Sequence, residues 1–308
     1  AAVSGYGKVK GLLRTDEVNH AAGTISKASS RGYNLIQGQQ SHRHPSPSET
    51  EVVRESHNVG EAMENLRRLA EERLGKTDLD SGLDYGTIAI SKYRKSDGTN
   101  SWLVTIPGTD GKHDSPFGWP QNVELMSSDS KQRMEADSAR MVQEAMKQAG
   151  IKSNEPVALI GHSQGGIVAA TIASDLKDDY DIEHVVTAGS PVANHPIPEK
   201  TWVTSVEMDD ELVAALDGAA NPSSDHWLTV RGTASKSSSN QESTFAGTPV
   251  TDAPDNKEIT HWLKYHQAAY QNATDMGSTA VNTHERHFDE IIDGDLQEVM
   301  YFEGRMSK

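Results

Sequence analysis

The chain has 308 residues, of which 24% are charged and 35% hydrophobic, and its 29 basic and 45 acidic residues give a net charge of −16. A surface this negative repels nucleic acids and anionic membranes, so we expect neither as a partner. Since the chain has no cysteine, disulfides, a thiol nucleophile and thiolate metal sites are excluded. Its apolar runs are too short to span a membrane.

The N-terminal part contributes one clear element. Apolar residues recur at helical spacing from Val59 to Leu74, and Gly75 supplies a stop, which predicts an amphipathic packing helix. The chain begins at Ala1 without an initiator Met, so we expect either that a leader was removed or that the sequence is a trimmed piece; leader removal would favour secretion, and the compartment stays open.

Further along the chain, the predicted elements change from a hairpin to an alternating pattern. Strand-like runs at 85–93 and 101–106 flank an Asp97-Gly98 turn. Beyond them we predict helices at 130–148 and 164–176, strands at 156–160, 184–188 and 202–206, and helices near 262–270 and 288–292. The Ser-rich segment 234–243 is predicted to be a loop. The order predicts a doubly wound, mostly parallel sheet with an antiparallel N-terminal hairpin.

The most informative motif is GHSQG at 161–165, which follows the buried strand 156–160 and precedes a helix of small residues. In a strand, G-x-S-x-G, helix arrangement, the tight turn holds the serine hydroxyl out of the backbone at a helix N-terminus. We therefore predict that Ser163 is a nucleophile. The alternative is an ordinary turn between a strand and a helix.

A serine nucleophile needs a base and an acid that orients the base, and in doubly wound hydrolases these follow the serine in the order acid, then histidine. The strand ending near Val206 leads into three carboxylates, Asp209, Asp210 and Glu211, of which we choose Asp210. The downstream base candidates are His226, His261, His266, His284 and His287. We choose His266, because it stands where a loop gives way to a helix.

The remaining site predictions concern the oxyanion and metals. Backbone N–H groups must face the negative charge that develops on the substrate oxygen. Gln164, the residue after the nucleophile, supplies one, and Thr109, in the Pro-Gly-Thr-Asp turn after strand 101–106, is the candidate for the other. Asp110 is expected to pin this turn through backbone hydrogen bonds. The histidine pairs 42/44 and 284/287 lack further ligands at a recognisable spacing, so we predict no metal.

These motifs resemble those of the α/β-hydrolase superfamily and, more narrowly, of lipase-like serine esterases typical of actinobacteria. The segments that resemble class 3 lipase motifs are the oxyanion loop at 106–110, the turn at 161–166, the Gly-Ser-Pro strand end at 187–192, the acidic segment at 210–222 and the His-x-x-x-Tyr helix start at 266–270. The chain differs from that pattern at Glu211 and Ala214, where the family has Asp and Pro.

The resemblance implies hydrolysis of small-molecule or lipid carboxylic esters through an acyl-enzyme, without a cofactor. Ser163 would attack, His266 would move the proton, and Asp210 would orient His266. The resemblance covers residues 101–270. We expect a catalytic domain at 81–308 and, before it, an extension and packing helix at 1–80 that form one compact unit with it. The apolar segment 112–128 is interpreted as a lid or pocket wall, or else as a crossover packed on the sheet. Acyl transfer, thioester or amide hydrolysis, and a non-catalytic binding module are the other functions considered.

Overall fold

The protein is represented by a computed structural model, which describes residues 34–35, 52–77, 81–112, 114–208, 220–232, 234–236, 242–245, 248–251 and 263–307. The described strands are β1 (Asn34–Leu35), β2 (Thr87–Arg94), β3 (Asn100–Ile106), β4 (Pro156–His162), β5 (Asp181–Ala188), β6 (Trp202–Met208), β7 (Trp227–Gly232), β8 (Ala234–Lys236), β9 (Glu242–Phe245), β10 (Thr248–Thr251), β11 (Asp295–Glu303) and β12 (Met306–Ser307). The described helices are α1 (Val59–Glu72), α2 (Trp119–Glu124), α3 (Ser130–Glu135), α4 (Asp137–Ala149), α5 (Gln164–Asp175), α6 (Leu263–Asp275) and α7 (Thr279–Ile291).

A seven-stranded sheet forms the centre of the fold, in the order β11-β2-β3-β4-β5-β6-β7. Strands β11, β2 and β3 are antiparallel, whereas β3 through β7 run parallel. The parallel strands read as apolar runs because helices cover both faces. The predicted α/β class, with a mostly parallel sheet and an antiparallel hairpin, is confirmed.

The core has two layers, one on each face of the sheet. Successive residues of β4 alternate between them: Val157 and Leu159 pack with α4 and α5, while Ala158 and Ile160 pack with α1, α6 and α7. This alternation follows from the two-residue period of a strand. The predicted packing helix, α1, therefore belongs to the core of the sheet, and Asn58 caps its start by accepting a hydrogen bond from Glu61 N at 2.8 Å.

Two local predictions were wrong. The helix predicted at 130–148 is interrupted at Ala136, whose extended ψ of 129° ends α3 and lets Asp137 begin α4. The buried Asp137 carboxylate there accepts a hydrogen bond from Gln121 Nε2 at 2.7 Å and pairs with Arg140.

The second wrong prediction concerns the Ser-rich segment, and a further strand was not predicted at all. The Ser-rich segment contains β8 and the start of β9, which pair with each other. The C-terminal segment, for which no strand was predicted, supplies β11, and its pairing with β2 places the hairpin inside the sheet. Within the described ranges, no helix is both long and apolar enough to cross a membrane.

Candidate active site

Ser163 occupies the turn between β4 and α5 with φ 54° and ψ −120°. Among the described residues other than glycine, it has the one positive φ. Such a conformation costs on the order of 1–3 kcal/mol and persists where the surroundings impose it. Its N–H donates to the carbonyl oxygen of Ala188 at the end of β5, 2.9 Å away. The strained turn therefore presents Ser163 at the carboxyl edge of the parallel strands, where ligands bind in open α/β sheets.

Ser190 supports the same turn from the neighbouring strand end. Its Oγ donates to the carbonyl oxygen of Ser163 at 2.8 Å. Gly189, before it, turns the chain with φ 62°. In the sequence, the Gly-Ser-Pro segment was identified only by its resemblance to lipase motifs. The spacing of residues along the chain does not predict its contact with the Ser163 turn.

The predicted oxyanion loop passes directly beside Ser163. A Cβ placed on Gly108 would lie 2.9 Å from the carbonyl oxygen of His162 and 3.2 Å from Cβ of Ser163. Both distances are shorter than ordinary van der Waals contacts of about 3.5–4.0 Å. Glycine is therefore required at position 108 for the loop to approach Ser163 so closely.

Thr109 and Gln164, the two predicted oxyanion residues, are brought together. Gln164 is buried, and its Nε2 donates to Thr109 Oγ1 at 3.3 Å and to the carbonyl oxygen of Gly118 at 2.8 Å. Thr109 Oγ1 also accepts from Asn122 Nδ2 at 3.0 Å. Gln164 opens α5, and the first N–H groups of a helix have no intrahelical acceptor and carry the positive end of its dipole. This arrangement suits an anionic oxygen beside Ser163.

Asp110 pins the loop as predicted. Its carboxylate accepts hydrogen bonds from Gly86 N at 3.0 Å, Lys112 N at 3.1 Å and Ser115 Oγ at 2.7 Å. The buried Arg73, just beyond α1, also faces this carboxylate. Sequence reasoning did not identify Arg73, because it lies in the amphipathic helix region, far from every motif.

His266 is the fourth residue of α6 and is fully buried. Its ring meets the ring of His162 edge to face, with centroids 5.8 Å apart. The next residue, Gln267, donates from Nε2 to Glu64 Oε2 of α1 at 2.7 Å, which fixes the start of the helix. His266 thus lies beside His162, the residue that precedes Ser163.

Three other base candidates gather elsewhere, at the amino ends of β5, β6 and β7. Trp202 stacks between His226 and His287, with centroids 4.5 and 4.2 Å away, and His284 meets it edge-on at 4.9 Å. His184 Nδ1 lies 2.9 Å from His287 Nδ1. Burial lowers the pKa of His184 well below its ordinary value and that of His287 to about 4. These rings occupy the sheet edge opposite to Ser163.

The predicted acid lies outside the described residues, as does His261. Strand β6 ends at Met208, directly before the three carboxylates, and residues 209–219 lie outside the described ranges. Asp210, with Asp209 and Glu211 as alternatives, therefore stays a prediction. In the described part of the chain, no group of three or more His, Asp or Glu side chains is arranged to hold a metal ion.

The segment 112–128 packs over the oxyanion loop. Phe117 and Leu125 are fully buried in the core layer that includes α5. The hydrogen bonds from Gln164 to Gly118 and from Asn122 to Thr109 join this segment to the site. These contacts favour the packed crossover over a free lid, and they place α2 next to the oxyanion residues.

Comparison with known families gave a match over residues 122–244 to a family model described as PGAP1-like alpha/beta domain. The matched range is less than half of the chain. It contains the turn with Ser163 and the Gly-Ser-Pro segment, but neither Thr109 nor His266. Neither the curated proteins nor the solved structures searched gave a match.

Proposed function

We propose that this protein, which has the α/β-hydrolase fold, is a serine hydrolase that cleaves carboxylic esters through an acyl-enzyme. Its place in the superfamily rests on the seven-stranded, mostly parallel sheet and on the family match. The narrower proposal rests chiefly on one observation, the strained Ser163 at the end of β4 with the glycine of a second loop against its Cβ. A fold alone does not settle an activity, so the argument depends on this site.

In the proposed mechanism, Ser163 Oγ attacks the ester carbonyl carbon while His266 takes the hydroxyl proton. The carbonyl oxygen becomes an oxyanion, which the N–H groups of Thr109 and Gln164 stabilise. Collapse of the tetrahedral intermediate breaks the bond to the alcohol oxygen, and His266 returns the proton to the leaving alcohol. Water then repeats the sequence on the acyl-enzyme and releases the acid.

The burial of His266 supports its role as the base. An imidazole packed away from bulk water keeps its orientation, and the positive charge that it gains during the reaction needs a nearby carboxylate. Asp210 is the proposed carboxylate, because the acidic cluster follows β6 and acids of this fold follow strand ends on the nucleophile's side of the sheet. No cofactor takes part in this scheme.

The direct test is hydrolysis of p-nitrophenyl esters from acetyl to palmitoyl by the wild type, Ser163→Ala and His266→Ala. We expect kcat to fall at least about a thousandfold in both variants. His284→Gln is the matched control, since it alters a buried histidine and former base candidate at the opposite sheet edge, and it should keep kcat. Equal rates in Ser163→Ala and wild type would refute the proposal.

The acid is assigned by the same assay with Asp209→Asn, Asp210→Asn and Glu211→Gln. We expect the large loss in Asp210→Asn, because the misoriented or wrong tautomer of His266 no longer accepts the proton. A large loss in one of the other two variants instead would move the acid by one residue and leave the ester hydrolase proposal intact.

A further inference from the structure

We propose that Arg73 is a positioning residue for the oxyanion hole: it holds the carbonyl oxygen of Gly108 and so aims the N–H of Thr109 at the reacting oxygen. This inference rests on the proposed function, because Thr109 matters in this way only if an oxyanion forms at Ser163.

The guanidinium of Arg73 contacts the residues on both sides of Thr109 in the loop. Nη2 donates to the carbonyl oxygen of Gly108 at 2.6 Å, and Nη1 lies 3.5 Å from Asp110 Oδ2. The side chains of Arg73 and Asp110 are 2% and 0% exposed, so water does not compete for these contacts. A fork of fixed donors suits two such acceptors better than an ammonium does.

The geometry of one peptide unit links Arg73 to the oxyanion. The carbonyl of Gly108 and the N–H of Thr109 belong to the same planar, trans peptide, so they point in opposite directions. Fixing the carbonyl toward Arg73 therefore fixes the N–H on the other side. A charged donor on the carbonyl also polarises the peptide, which strengthens the hydrogen bond that its N–H donates.

The burial of this ion pair points to a role in positioning. Burial lowers the pKa of Arg73 to about 10, so the guanidinium is still charged at neutral pH, with Asp110 as its partner. Buried pairs are weak sources of stability, because desolvation offsets much of their attraction. Gly86, Lys112 and Ser115 also donate to Asp110, so the loop would keep three hydrogen bonds without the arginine. What Arg73 adds is the hold on Gly108.

The chain offers a matched control in Arg133, which is also buried. Arg133 pairs with Asp175 through Nε at 2.9 Å and Nη2 at 2.6 Å. Asp175 ends α5, whereas Ser163 precedes its start, so the two lie roughly 18 Å apart at 1.5 Å per residue. Arg133→Met removes a buried ion pair without touching the oxyanion loop.

The experiment compares wild type, Arg73→Met, Arg73→Lys and Arg133→Met. For each we would measure kcat and KM with p-nitrophenyl butyrate, Ki for butylboronic acid, and thermal unfolding. The boronate forms a tetrahedral adduct on a serine and places an oxygen in the oxyanion hole. We expect Arg73→Met to lower kcat about 10- to 100-fold with KM nearly unchanged, and to raise Ki by a similar factor. Arg133→Met should lose thermal stability but keep kcat and Ki.

Arg73→Lys keeps a buried cation and guards against an Arg73→Met variant that does not fold. Its single ammonium cannot hold Gly108 and Asp110 together, so we expect about a tenfold fall in kcat and a matching rise in Ki. If Arg73→Lys or Arg73→Met folds and keeps the wild-type kcat and Ki, the positioning role of Arg73 is overturned. The proposed ester hydrolysis would still stand. A wild type that neither hydrolyses esters nor binds the boronate would overturn the proposed function, and this inference with it.

Discussion

Replacing Gly108 by alanine would test the oxyanion loop most directly. The new methyl group would lie 2.9 Å from the carbonyl oxygen of His162 and 3.2 Å from Cβ of Ser163. Contacts of about 3.5–4.0 Å are ordinary, so the loop must retreat by roughly 0.5 Å. Neither neighbour can yield easily, because one is backbone at the end of β4 and the other is the strained Ser163.

A shift of this size moves the Thr109 N–H from its place. Catalytic geometry tolerates about 0.5 Å, and complete loss of an oxyanion donor costs about 10²–10³ in kcat. We therefore expect Gly108→Ala to lower kcat about 10- to 100-fold, or about 1.4–2.7 kcal/mol in transition-state stabilisation. Overpacking should also cost about 1–3 kcal/mol of unfolding free energy.

The assay is p-nitrophenyl butyrate hydrolysis together with urea unfolding. Gly98→Ala is the matched control: Gly98 has φ 84° and open space around it, in the hairpin turn at the other end of β3. Alanine there strains the backbone by about 1–2 kcal/mol and should leave kcat unchanged. Wild-type kcat in folded Gly108→Ala would refute the assigned closeness of the oxyanion loop to Ser163.

Two further predictions concern His195 and Ser190. Burial, together with the charge of Arg133, lowers the pKa of His195 from 6.5 to about 4. Its Nε2 atom lies 3.0 Å from the carbonyl oxygen of Leu125. Between pH 6.5 and 4, His195 is therefore protonated in the unfolded chain but neutral in the folded chain. The free energy of unfolding falls as the pH drops through this range, by roughly 3 kcal/mol in all. His195→Gln should remove this contribution, so the free energy of unfolding measured in urea should fall less between pH 7 and 4.5 than in the wild type. An equal fall in both proteins would contradict this prediction. Ser190→Ala removes the hydrogen bond to Ser163 and should cost about 1 kcal/mol of unfolding free energy and several-fold in kcat; unchanged hydrolysis would argue against Ser190 as a support of the nucleophile turn.

Features formed by neighbouring residues were open to prediction from the chain alone. The hairpin of β2 and β3 follows from its Asp-Gly turn, and the conformation of Ser163 follows from a strand and a helix joined by glycines. The break at Ala136 was missed because no helix-stop residue marks it, and the contact found beside it joins Asp137 to Gln121, a residue outside the helix. Local patterns therefore identified elements more reliably than they set the limits of those elements.

The sequence by itself determined the α/β class, the turn that carries Ser163 and the place of the predicted oxyanion loop directly after β3, because each is encoded within a short stretch. Only the tertiary structure decided which described histidine lies beside that turn, and that Arg73 holds the loop. Spacing could not separate His266 from His284, because helix packing brings His266 to His162 at the carboxyl end of β4 and His284 to Trp202 at the amino end of β6. The contact between Arg73 and Gly108 joins residues 35 positions apart. No local pattern encodes such a contact, because it exists only after α1 has packed against the sheet.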